Sequence, residues 1–236
     1  MDDNGKICAI HQPNFFPWLG YFDKIAKCDR FVVLDHVQYP KTGGTWSNRV
    51  AINVQGRRHW ITAPINRKSG VWTIAETTFQ RGKWRDKIIK TLQASYAKAP
   101  CYKEHRDFLF ELVNYGSDDL VEYNMNAVGK ICDYLGIDLR EKVAYSSQFG
   151  FESSSNELLA DLTQAVGCDT YMAGGGAEGY QDISVFEKRK MGFVYQNFVH
   201  PHYHQWNTEE FMPGLSIIDA LFNGGIDLRE SDRKDG

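Results

Sequence analysis

The chain of 236 residues has no apolar run near the roughly 18 residues that suggest a membrane-crossing helix. Its opening residues, Met1-Asp2-Asp3-Asn4-Gly5-Lys6, lack the apolar centre of a secretory signal. A cytoplasmic location without membrane insertion is therefore expected. There is no excess of charge of one sign: 27 basic residues face 30 acidic ones, for a net charge of −3. That balance argues against a nucleic-acid partner and against a polybasic anchor. Cysteine is sparse and odd in number, at Cys8, Cys28, Cys101, Cys132 and Cys168, with no Cys-x-x-Cys pair. Neither a zinc site nor a disulfide framework is indicated, and no metal is expected. No internal repeat or low-complexity segment is visible. The Walker loop, the Gly-x-Ser-x-Gly elbow and an Asp-x-Asp motif are all missing.

Apolar and aromatic residues are plentiful, enough for a sizeable core. Lys6–Ile10 reads as a short buried strand. Pro17 suits the first turn of a helix, and Leu19, Phe22, Ile25 and Ala26 follow on one helical face. Arg30–Leu34 reads as a second strand, so the opening resembles a parallel β-α-β unit. Short β-rich runs, Val50–Val54, His59–Ile65 and Val71–Phe79, then lie between turn signals. From about 82 to 136 the pattern is helical, with Trp84, Ile88, Leu92 and Tyr96 four residues apart. Alternating strands and helices return after residue 143. The expected fold is a doubly wound parallel α/β sheet with a helical insertion and a small β extension. It forms one domain over residues 1–225, followed by a flexible tail over 226–236.

In such sheets, ligands bind beyond the carboxyl ends of the strands. His11 and Gln12 stand there, after the first strand, and His11 is a candidate acid/base or anion contact. Asp35 and His36 close the second strand, where a base with an orienting carboxylate would sit. Gln38, Lys41, Asn48 and Arg49 offer amides and cations to an anionic substrate. Trp18, Trp46 and Trp60 offer flat apolar faces for a base or sugar. Gly175, Gly176 and Tyr180 belong to a glycine-rich loop whose backbone can approach a ligand closely. His200, His202 and His204 form an alternating run that Pro201 interrupts. His200 and Tyr203 are expected to line the site. Ser216 and Asp219 are three apart at a helix start, where capping competes with a binding role.

The segments IHQPNFFPWLGYFDKI, FVVLDHVQYPK, WSNRVAI, WITAPI, YMAGGGAEGYQD, HPHYHQW and LSIIDALFNGG together resemble the WbqC-like protein family, from Ile10 to about Gly225. Members of such families occur in bacterial gene sets for O-antigen and other surface polysaccharides. The resemblance implies a transferase acting on a nucleotide-linked amino sugar. Its most concrete form moves an acyl or aminoacyl group from a thioester donor, free or on a carrier protein, to a sugar amine. His11 or His36 would be the base and Asp35 its orienting group. Gln12 or Asn48 would face the oxyanion, and Arg49 or Lys41 the diphosphate. The alternatives are a nucleotidyl- or glycosyltransferase, or a non-catalytic sugar-nucleotide or carrier-binding protein. PWLGY is also similar to the histidine-bearing loop of nucleotidylyltransferases, with Trp18 and Tyr21 where the two histidines would fall. That similarity implies a nucleotidylyltransferase-like core.

Overall fold

The computed structural model describes residues 5–40, 45–174 and 182–225. Five strands, β1 (Ile7–His11), β2 (Arg30–Val33), β5 (Val143–Tyr145), β6 (Thr170–Ala173) and β7 (Gly192–Tyr195), form one sheet in the order β5-β2-β1-β6-β7. All four pairings are parallel. Both faces of the central strands β1, β2 and β6 are covered, which is why those strands read as unbroken apolar runs instead of alternating ones. Cys8, Ile10, Val32 and Tyr171 pack against α5 (Ser155–Ala165) and α6 (Ser184–Lys188) on one face. Ala9, Phe31, Val33 and Met172 pack against α1 (Leu19–Lys27) and the helical block on the other. This is the expected doubly wound α/β core.

The strand order decides where a crevice opens. After β1 the chain winds to β2 on one side, and later returns to β6 on the other. The switch in direction falls between β1 and β6, and connections leaving in opposite senses part there.

The expected helical block is α2 (Trp84–Tyr96), α3 (Tyr102–Val113) and α4 (Leu120–Leu135). The Asp119 side chain accepts the Glu122 backbone N–H at the start of α4, and Gly136, in the left-handed region, ends it. The β extension is a hairpin, β3 (Arg49–Val54) with β4 (Arg57–Thr62), separate from the main sheet. Val71–Phe79 is not a strand. It makes only isolated bridges, and Trp72 and Thr77 are held by local bonds. Pro17 precedes the helix instead of starting it: its carbonyl accepts Ile217 N–H, and Trp18 bridges Ser216. That tertiary ladder overrides the local preference of proline for a first turn. Among the described residues, no helix is long and apolar enough to cross a membrane.

The loop after β1 is clamped from three directions. Asn124 on α4 donates to the carbonyls of Pro13 and Ser47. Phe15 N–H donates to Trp46, and Ser216 Oγ to the Phe16 carbonyl. The rings of Phe15 and Phe16 are buried against Tyr123, and that of Phe15 also meets Phe79 and Trp84. Phe16 takes a positive φ of 42°, a costly backbone state for a bulky residue. A loop held this way presents His11 and Gln12 in fixed positions.

Candidate functional site

A cleft of about 660 Å³ opens at the β1/β6 switch point. His11 and Gln12 enter it from β1, Gly174 from the end of β6, and Leu34 from the end of β2. Helix α1 supplies Gly20, Tyr21 and Lys24, whose i, i+1, i+4 spacing puts them on one face. Trp18 and His200 close one side, their rings 5.2 Å apart. The volume is in the range of small-molecule sites.

His11 Nδ1 lies 3.2 Å from the Gln12 carbonyl, and Tyr21 Oη donates to the same oxygen at 3.1 Å. A carbonyl only accepts, so Nδ1 carries the proton and the Nε2 lone pair is left for a ligand. Burial, and then the charge of Lys24, push the imidazole down to about 3, so it is neutral at neutral pH. The linkage sign follows. In the unfolded chain His11 takes a proton near the ordinary histidine value of about 6.5, whereas in the folded chain it does so only near 3. Stability is therefore expected to fall as pH drops from about 6.5 toward 3, by an amount on the order of a few kcal/mol. Denaturation midpoints of wild type and His11→Gln across this window check it. Parallel curves would mean that the ring is not held neutral.

Lys24 was not legible as a site residue. Its side chain is 4% exposed, and among the described residues no carboxylate or hydrogen-bond acceptor meets its amine. Burial brings it down to about 8, opposed by Cys28 and Cys8. The neighbouring Asp23 is turned elsewhere: it accepts from Gln196 Nε2 at 2.7 Å and pairs with Lys27 at 3.0 Å. The signal available in the sequence was a lysine at i+3 from Tyr21 on an otherwise apolar helix face.

A second lobe of about 310 Å³ adjoins the first, sharing His11, Trp18 and His200 and reaching Asn14, Trp46 and Gly214. Asn14 is buried, and its Oδ1 has no hydrogen-bond partner among the described residues. Trp46 is 45% exposed and meets Trp60 edge-on at 5.1 Å, with the Arg49 guanidinium 4.5 Å over the Trp60 ring. These rings are therefore accessible, as a stacking role requires.

Other expected site residues lie outside both lobes. Asp35 is buried, and its carboxylate accepts from Ser146 Oγ, Ser147 N–H and Ser147 Oγ. It orients that turn, and not His11. His36 Nδ1 lies 2.6 Å from Ser146 Oγ, away from the cleft lining. Gln38 is exposed beside Thr73. Asn48 is buried between Tyr39 Oη and the Ala63 carbonyl, a bracing role. Ser216 caps α7 (Ile217–Asn223) through Ile218 N–H, as the capping alternative required. Asp219 is fully buried and accepts from Tyr96, Tyr203 and Gln205, which draws Tyr203 into the scaffold. His202 packs on Phe211, and no group of three metal-ligating side chains occurs among the described residues. Lys41, Gly175, Gly176, Tyr180 and the segment 226–236 lie outside the described residues.

The profile of the WbqC-like protein family matches residues 12–231, from the first cleft loop to beyond the last helix. The chain belongs to the WbqC-like protein family. It is also 33% identical over 227 residues to the uncharacterized protein Rv1507c of Mycobacterium tuberculosis, covering 94% of this chain and 95% of that one. No solved structure matches it. The family match begins at Gln12, one residue past His11 and the end of β1, and runs on through α1 to α7, which build the other walls of both lobes.

Proposed function

We propose that this WbqC-like protein is a transferase of surface-polysaccharide assembly that acylates the amine of a nucleotide-linked sugar. The observation that carries the proposal is that two lobes meet at His11, with Trp18 and His200 also shared between them. A transfer between two molecules needs them side by side with the reacting atoms close to one another. The second lobe suits the sugar, since the Trp46 face and the unmatched Asn14 amide complement a ring that carries hydroxyl and amide groups.

The amine nitrogen attacks the thioester carbonyl, forming the C–N bond. The tetrahedral oxyanion then collapses, the C–S bond breaks, and the amine proton leaves with the thiolate as thiol. The free Nε2 of His11 accepts a hydrogen bond from the attacking amine and aligns its lone pair. Gln12, which enters the cleft beside it, faces the developing oxyanion.

Thermal unfolding with a panel of sugar nucleotides and acyl thioesters tests the proposal. A true ligand at 100 times its dissociation constant adds about 2.7 kcal/mol. Stabilisation by nucleotide-linked amino sugars is expected, and no response to any sugar nucleotide would overturn the proposal.

A further inference from the structure

Lys24 is a buried amine inside an open cleft, and no charge among the described residues answers it. An isolated buried ammonium is costly, and structures retain one where a ligand or partner supplies the opposite charge. Its surroundings are uncharged. His11 from β1 is neutral, and Tyr21 and Tyr171 are the other titratable groups of the cleft wall beside it. Cys28 and Cys8 are close enough to act on its charge; burial pushes the Cys28 thiol up, and the hydrogen bond with Cys168, then burial, pushes up that of Cys8. His200 stands across the opening. Gly174 lies close by: a side-chain carbon placed there would be 3.6 Å from the amine. Glycine at that position leaves the space in front of the ammonium open to a ligand.

We propose that Lys24, opposite the Gly174 backbone at the β1/β6 switch point, is an anion subsite that takes a phosphoryl group. On the acyl-transfer proposal above, which this extends, the anion is the diphosphate of the sugar nucleotide. The sugar then reaches past His11 into the lobe at Asn14 and Trp46. The subsite makes no demand on the donor.

Inorganic pyrophosphate and sulfate are the probes, with binding followed by calorimetry and thermal unfolding on the full chain. Wild type is expected to bind pyrophosphate at pH 7, and Lys24→Met to lose at least about tenfold in affinity. Sulfate keeps its charge between pH 7 and 9, so its binding isolates the amine. With the amine near 8, the protonated fraction falls from about nine-tenths to one-tenth, and sulfate affinity should drop about tenfold. Pyrophosphate binding unchanged in Lys24→Met, or sulfate binding indifferent to pH, overturns the subsite. Should Lys24→Met fail to fold, the wild-type pH series decides alone. Sugar-nucleotide binding that ignores Lys24 sinks the subsite and leaves the transferase proposal standing. Pyrophosphate binding through Lys24 with no response to any sugar nucleotide does the reverse.

Discussion

His11→Ala is expected to lower turnover by about two to four powers of ten while the protein stays folded. The imidazole is placed by the Gln12 carbonyl and packed edge-on against Tyr21, with ring centres 4.8 Å apart. Its removal deletes a side-chain nitrogen that lines both lobes and is held there by a clamped loop. His11→Gln separates two roles. An amide can still orient the attacking amine by hydrogen bonding, but it cannot carry a proton. If kcat recovers in His11→Gln, orientation is the contribution; if it stays low, proton acceptance is. Burial, and then the charge of Lys24, hold the ring far below neutrality. An anion paired with Lys24 removes part of that penalty, so the bound enzyme is expected to show a higher histidine pKa than the free one. The difference appears as a shift between the pH profiles of kcat and kcat/KM. Full activity in His11→Ala would remove the imidazole from the chemistry.

Asp219→Ala is expected to cost about 2–4 kcal/mol of stability. The carboxylate is fully buried, with Tyr96 Oη at 2.7 Å, Tyr203 Oη at 2.9 Å and Gln205 Nε2 at 3.1 Å. Truncation leaves three donors without their acceptor. Tyr96 in turn accepts Asn53 N–H at 2.9 Å at the end of the hairpin, so the loss spreads from α7 to α2 and β3. For a chain of this size the unfolding midpoint should drop by roughly 5–15 °C. Burial raises the Asp219 carboxyl above its ordinary value, against the pull of its donors. Deprotonation therefore works against the fold from the ordinary carboxylate range up to that raised value, and the wild type carries this cost at neutral pH. Asp219→Asn, which keeps an acceptor without the charge, should recover much of the loss. A midpoint unchanged in Asp219→Ala would mean that the donors find water or other partners.

The doubly wound sheet and the helical block were legible because apolar periodicity reports burial, and burial here follows the layers. His11 and Gln12 were legible as cleft residues because strand ends in a parallel sheet are where ligands sit, Trp18 as a flat apolar face, Tyr21 through the PWLGY similarity, and His200 through the histidine run. Asn48, Tyr203 and Asp219 show why others were not. Polar side chains near aromatic and loop sequence look alike whether they face a ligand or brace a scaffold, and only the partners across the chain decide. Tyr96, 123 residues from Asp219, is such a partner. Lys24 was missed for the converse reason. A lysine after an amphipathic stretch ordinarily extends to solvent, and nothing local reports that Gly174 and Gln196 fold over it from the far end of the chain.

That distance along the chain has a temporal side. Ser216 bonds back to Phe16 across 200 residues, and Gln196 to Gly20 across 176. On a ribosome, the N-terminal loop emerges long before either tether is made. A nascent chain halted at residue 190 would already own His11 and Lys24, but not the segment that walls them in. The crevice is thus completed only once Gln196 and Ser216 have joined the loop and helix that hold His11 and Lys24.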